Sequence, residues 1–206
     1  PVRGPITLGA EDSGRNGHRV LYKSFPGETP VISGTPVTEW RRSSGDVWTA
    51  SVDVENIRQL YVDGQRADRA AIDAPTGLEP WGLHGYTTCA EEIADWSNPA
   101  EIEFCYAGMW CHTRCKLASI TRTDDGVELR MQQPYFSLAN TREGWSIDYP
   151  KRIENSLTFL KRPGQWYFDR QAATLHYMAQ PGSSPDAAEV IVPAAETLLE
   201  LKGTLD

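Results

Sequence analysis

At 206 residues, 40% of them hydrophobic, the chain is long enough to bury a packed core as one large β domain or two small ones. Its net charge is −8 and its 20 basic residues are scattered, which excludes a phosphate-neutralising stripe and with it a nucleic-acid partner. No apolar run approaches the roughly 20 residues of a membrane helix, so no membrane partner is expected, and Pro1-Val2-Arg3-Gly4 does not read as a signal peptide, which places any such signal upstream.

Taken in order, short apolar or alternating runs separated by Gly, Pro and Asp-Gly predict an all-β chain with little helix. Val20-Leu21-Tyr22, Pro30-Val31-Ile32 and Val47–Val52 read as short strands. Gln59–Val62 and Gln65–Ala67 flank Asp63-Gly64, the signal of a two-residue type I′ hairpin. Residues 73–88 carry three glycines and two prolines without periodicity and read as a long surface loop. A short helical candidate spans Glu91–Trp96, and Ile102-Glu103-Phe104 reads as strand. Val127, Leu129 and Met131 alternate with Glu128, Arg130 and Gln132 as a half-buried strand does. A second helical candidate spans Ile153–Leu160. Gln165–Phe168 and Leu175–Met178 form a further hairpin, followed by a strand at Glu189–Val192. The segments Pro5–Gly34 and Glu196–Leu205 look like single strands without partners, the pattern of an insertion flanked by pieces of its host.

The four cysteines, Cys89, Cys105, Cys111 and Cys115, fall in one short stretch and suit two local disulfides in an oxidising compartment. With Ala107-Gly108-Met109 at a hairpin tip, Cys105 would meet Cys111, leaving Cys89 for Cys115. Zinc is the competing reading because His112 adjoins Cys111, but a C-x-x-x-C on a strand spreads its ligands too far, so neither a metal nor another cofactor is expected. Trp110, His112 and Arg114 share one strand face, and an aromatic, an imidazole and a guanidinium together suit a sugar surface. The plainer alternative places Trp110 in the core and pairs Arg114 with a carboxylate across the sheet. Trp81 and Trp145, in irregular segments, are the other candidate sugar platforms, whereas Trp40, Trp48 and Trp166 read as core. Glycoside hydrolysis needs two carboxyl groups with separated protonation states, and the 28 acidic residues single out no pair.

Gly9-Ala10-Glu11-Asp12-Ser13-Gly14 followed by Tyr22–Gly34, Arg58–Ala67, Pro163–Arg170 and Leu198–Leu201 together resemble right-handed parallel β-helix proteins similar to glycoside hydrolase family 141. The resemblance implies an antiparallel β-sandwich or barrel-like insertion domain at 37–194, lodged between β-helix coil fragments at 1–36 and 195–206, in a pectin-lyase-like setting. It further implies a secreted or extracellular parent that cleaves glycosidic bonds, fucosides and xylans among them, with acidic catalytic residues on later coils and hence absent here. Glu154-Asn155 resembles a recurring Glu-Asn that could face the host coils, while helix-terminal charge and capping is its bland reading. The cysteine cluster, and Gln165 where relatives often carry Glu, depart from the pattern.

The expected partners are therefore an oligo- or polysaccharide and the remaining β-helix coils, with the insertion domain shaping a substrate groove. The rival reading is a non-catalytic carbohydrate-binding or structural module. Lyase chemistry is a third reading: lyases of the β-helix type commonly use calcium held by clustered Asp ligands with Lys or Arg bases, a cluster not visible within these residues but one that coils outside them could hold.

Overall fold

The computed structural model describes residues 4–108, 111–141, 149–193 and 195–203, so Trp110 and Trp145 lie outside the described residues. The first strands are β1 (Ile6–Leu8), β2 (Thr35–Pro36), β3 (Arg41–Ser44), β4 (Val47–Ser51), β5 (Tyr61–Val62) and β6 (Gln65–Arg66). Then come β7 (Asp68–Arg69), β8 (Ala71–Asp73), β9 (Glu79–Trp81), β10 (Gly85–Thr88), β11 (Glu103–Ala107), β12 (His112–Thr123) and β13 (Gly126–Met131). A helix, α1 (Tyr135–Thr141), precedes β14 (Arg152–Glu154), β15 (Gln165–Asp169), β16 (Thr174–Met178), β17 (Val190–Val192) and β18 (Leu199–Leu201).

The all-β expectation holds, and the sheets are open rather than closed into a barrel. The largest is seven-stranded and antiparallel throughout, in the order β8-β14-β11-β12-β13-β10-β9. Its organising feature is alternation. Val127, Leu129 and Met131 turn inward, as do Phe104, Tyr106, Cys115, Leu117 and Ile153, and all are buried in one cluster with Ile93, Trp96, Phe136 and Phe159. Aromatic contacts fix this core: Tyr86 stacks on Phe104 at 5.7 Å, and Trp96 meets Phe159 edge-on at 4.9 Å.

A second cluster, built on Trp40, Ile57, Leu60, Trp166, Phe168 and Leu175, belongs to a five-stranded sheet (β3-β4-β16-β15-β7) and a four-stranded one (β2-β17-β5-β6). The β15–β16 hairpin and the Asp63-Gly64 turn form where expected, with φ of 49° and 73° at the two turn residues. Trp40 and Trp166 are core, and Trp48 packs partly buried against it. The chain passes between the two large sheets at Ala70. Its N–H donates to the Trp166 carbonyl at 2.7 Å, and its carbonyl accepts from the Asn155 N–H at 2.9 Å.

Several local expectations are corrected. Residues 73–88 are not a bare loop, because Glu79–Trp81 and Gly85–Thr88 pair as β9 and β10. Ile153–Leu160 is not a helix: Arg152–Glu154 pairs with β11 and β8 at a buried position, and only Leu157–Phe159 makes a 3₁₀ turn, while Glu91–Asp95 is likewise 3₁₀. The α-helix lies instead at Tyr135–Thr141. Val20-Leu21-Tyr22 and Pro30-Val31-Ile32 form no strands, since no described strand offers them an edge; Val31 is 81% exposed. Farther out, β1 and β18 pair in parallel, Ile6 with Leu199 and Leu8 with Leu201, as a separate two-stranded sheet.

Gly85 has φ of +143°, and a Cβ there would collide with the Leu129 carbonyl oxygen across the β10–β13 pair. Gly85→Ala is expected to cost about 1–3 kcal/mol or more of stability. A urea-denaturation midpoint unchanged from wild type would refute this account of the β10 register.

Candidate functional site

The second face of the large sheet is polar. In β11, Glu103 and Cys105 alternate with the core residues Phe104 and Tyr106; in β12, His112, Arg114 and Lys116 alternate with Cys115 and Leu117. The register sets Glu103 opposite both Lys116 and Glu154, and Cys105 opposite both Arg114 and Arg152, so these side chains share a face. Glu103 and Glu154 are nonetheless almost fully buried.

Two glutamates directly opposite one another repel, and burial raises the cost of their charge. Arginines resolve the conflict. Arg114 Nη1 donates to Glu103 Oε2 at 3.1 Å and to Glu154 Oε2 at 2.6 Å, bridging the pair. Arg69 Nη1 lies 3.2 Å from Glu103 Oε2, Arg58 Nη1 donates to Glu103 Oε1 at 2.6 Å, and Arg152 Nε lies 3.1 Å from Glu154 Oε1. Burial alone would raise the Glu103 pKa, but Arg69, Arg58 and Arg114 outweigh it and hold the carboxyl below its usual range. Burial lowers the pKa of Arg69, with Glu103 and Glu154 opposing, whereas the hydrogen bond to Glu154 raises that of Arg114 against its own desolvation.

The bridging contacts put the two Oε2 atoms at most about 5.7 Å apart, the sum of the 3.1 and 2.6 Å contacts. That spacing falls in the range of a glycosidase pair, in which one acid is protonated and the other ionised; here the arginines hold Glu103 ionised, and Glu154 is itself ion-paired to Arg114 and Arg152. Both carboxylates are engaged in ion pairs that join β11, β12 and β14 to Arg69 of β7. Beside it, Glu101 joins Lys116 at 3.1 Å and Arg170 at 3.4 Å. A concavity of about 500 Å³ opens here, lined by Arg58, Glu103, Arg114, Lys116, Gln132 and Tyr135 among others. The Tyr135 side chain stands on its rim, 65% exposed.

Of the residues singled out from sequence, Arg114 and Glu154 meet in this cluster, and Arg114 does pair with carboxylates across the sheet. Asn155 is buried behind it with φ of 72°, donating its Nδ2–H to the Glu101 carbonyl at 2.8 Å, a structural role. His112 is exposed farther along the same strand face. Trp81 is not in the cluster: its ring carries the Arg130 guanidinium at 4.9 Å and packs beside His84. Sequence reasoning missed Glu103, Arg58, Arg69 and Arg152. The available signal was Glu103 itself, a carboxylate inside the apolar run Ile102–Tyr106, which demands a buried partner.

The expected disulfides are corrected: all four cysteines are free thiols. Cys105 lies opposite Arg114, three residues from Cys111, and the two side chains point to opposite faces. Thr88, beside Cys89, is level with Val127 and thus with Arg122, which places Cys89 about 23 Å along β12 from Cys115, counting roughly 3.3 Å per residue. Among the described residues no group of His, Cys, Asp and Glu is placed to hold a metal.

Residues 44–180, spanning the large sheet, the ion cluster and the β15–β16 hairpin, match the family model described as the GH141 insertion domain. The chain belongs to that family. A solved structure named "Glycoside hydrolase" shares the fold over 98% of this chain, with a TM-score of 0.79 and 24% sequence identity. This GH141 chain covers 38% of that structure's own length. No curated protein matches it.

Because the folded pKa of Glu103 lies below its unfolded value of about 4.3, its contribution is fully present above that pH and is lost as pH falls through the folded pKa. Glu103→Gln is expected to cost about 3–5 kcal/mol at neutral pH and to flatten the fall in stability between about pH 5 and pH 3. Urea titrations of both proteins across that range check this; equal slopes would remove Glu103 from the acid response. Burial pushes the Cys105 thiol up to about 12 and the Cys115 thiol to about 11. A brief iodoacetamide pulse on the native protein should therefore label Cys89 and Cys111 and spare Cys105 and Cys115, as read by mass spectrometry, with all four labelled after unfolding without reductant.

Proposed function

We propose that the chain forms part of a secreted polysaccharide-acting glycoside hydrolase, that the insertion domain shapes one wall of its substrate groove, and that the catalytic carboxylates lie outside residues 1–206. The observation that carries this reading is the parallel pairing of β1 with β18, which brackets the insertion domain. A parallel pair needs a crossover connection between its strands, and here that connection is the whole domain, as expected where an insertion interrupts one coil of a parallel β-helix.

Two further observations support it. Leu21, Phe25, Val31, Leu199 and Leu201 stand exposed in the flanking segments, apolar surface suited to burial against further coils. The structurally similar glycoside hydrolase is much longer than this chain, which leaves room for those coils and for the catalytic residues. On this reading residues 1–36 and 195–206 are coil pieces and 37–194 the insertion domain. Carbohydrate is the partner the family suggests, and the concavity bordered by Tyr135 is where the domain would meet it.

A second reading, a structural module that never touches substrate, is favoured by the closed ion pairing of Glu103 and Glu154, which spends both carboxylates on holding strands together.

Reducing-sugar release from xylans, fucosylated glycans and pectins separates the alternatives. The 206-residue chain is expected to be inactive and the longer gene product active. In the latter, Tyr135→Ala should lower kcat/KM by about 3–10-fold at unchanged melting temperature. Activity in the 206-residue chain would overturn the placement of the catalytic residues, and an unaffected Tyr135 variant would favour the structural module.

A further inference from the structure

The charge of the pocket runs against the charge of the chain. Around it, Arg58, Arg69, Arg114, Arg152, Lys116 and Arg170 are ion-paired to only three carboxylates, Glu101, Glu103 and Glu154. Of these, Arg58, Arg114 and Lys116 line the concavity itself against Glu101 and Glu103, an excess of one positive charge in a chain whose net charge is −8. Stabilising two buried glutamates does not require so many cations, because Arg69 and Arg114 already reach both.

The surplus sits at the opening. Arg58 contacts Glu103 through a single Nη1 and its side chain is 51% exposed; Lys116, 35% exposed, contacts Glu101, which Arg170 also serves. Both line the concavity together with Gln132 and Tyr135. Deeper in, Arg69 Nε is buried and has no hydrogen-bond partner among the described residues. A guanidinium with free N–H groups, an ammonium, a side-chain amide and an aromatic ring around about 500 Å³ are the complement of a carboxylate carried on a polyhydroxylated ring.

Resting on the carbohydrate-facing reading above, we infer that the Arg58–Lys116–Tyr135 pocket is a subsite for a negatively charged sugar, a hexuronate residue of the glycan, whose carboxylate meets Arg58 and Lys116 while its ring lies against Tyr135. An acidic protein surface is the lesser fit, because the charge is recessed in a concavity sized for one or two sugar units. The role is binding and specificity, not proton transfer.

Both cations can be removed without leaving a buried carboxylate unpaired. Glu103 keeps Arg69 and Arg114 when Arg58 is replaced, and Glu101 keeps Arg170 when Lys116 is replaced. The test is calorimetric titration of the 206-residue chain with trigalacturonate and with its fully methyl-esterified form, which removes the charge and largely preserves the shape. The acid is expected to bind about tenfold tighter than the ester, with the difference shrinking at high salt. Arg58→Gln and Lys116→Gln should each erase most of that difference at an unchanged melting temperature.

Equal binding of acid and ester, or binding of neither, would overturn the proposal. A preference that survives both substitutions would place the anion elsewhere and overturn it equally, and inorganic sulfate binding as tightly as trigalacturonate would reduce the pocket to a generic anion site. The broader hydrolase reading fails separately: it falls only if the longer gene product cleaves no glycan, charged or neutral.

Discussion

The architecture depends on reconciling two glutamates that the β11–β14 register forces to face one another. Neither can leave, because each sits on a strand whose alternate residues, Phe104 on one and Ile153 on the other, are committed to the apolar core. The repulsion must therefore be cancelled locally, and Arg114 from β12 does so by bridging both carboxylates. The other cation that reaches both is Arg69, from β7. That strand belongs to the five-stranded sheet, pairing in parallel with β15, and its guanidinium lies over the Trp166 ring at 5.7 Å. One arginine thus ties the charge of one sheet to the core of the other, beside the Ala70 crossing. A buried ion cluster is a poor source of net stability, since desolvation offsets much of its attraction. Its value here is positional: a one-residue slip of β11 against β14 would turn Glu103 away from Glu154 and Arg114 and onto the apolar face.

Much of this was legible in the sequence, for a physical reason. Strands with one face on a core advertise themselves by alternation, so β13 and the β15–β16 hairpin could be read directly, as could the Asp63-Gly64 turn, whose two residues must both take positive φ. Arg114 could be placed on a functional or cross-paired face by parity alone. What failed were inferences needing a partner that local sequence does not reveal. Ile153–Leu160 has the apolar spacing of a short helix, yet β11 and β8 claim its first residues as a strand because Glu154 must reach Arg114. The cysteine pairing rests on a hairpin tip at Ala107-Gly108-Met109, whereas the register of β11 and β12 sets Cys105 opposite Arg114, three residues from Cys111.

Gln165 illustrates the same limit at one residue. The side chain is buried; its Oε1 accepts from the Lys161 and Arg162 N–H groups at 3.1 and 3.0 Å, and its Nε2 donates to the Ala71 carbonyl at 3.4 Å. A glutamate could accept both N–H groups but could not donate to Ala71 without holding a proton. The amide therefore fits this seam, where β15 lies near the start of β8, better than the acid that the family resemblance led one to expect. No feature of the residues around Gln165 announces this, since Ala71 is 94 positions away.

The cluster also shows why buried carboxylates close in space need not mark a catalytic pair. A glycosidase separates the protonation states of its two acids, leaving at least one in surroundings that favour the proton. Here each glutamate is held by more than one arginine, and for Glu103 these contacts outweigh burial and favour the ionised form. Such a site can hold a fixed electrostatic field at the mouth of the pocket, because the guanidinium groups are already oriented by the carboxylates they serve. Preorganised charge of that kind binds a ligand anion without reordering long side chains on contact, which is the main loss an exposed lysine or arginine suffers in forming an ion pair. The same interactions that dock the two sheets therefore aim Arg58 and Arg114 at the opening, and the excess of cations over carboxylates remains available to whatever enters it.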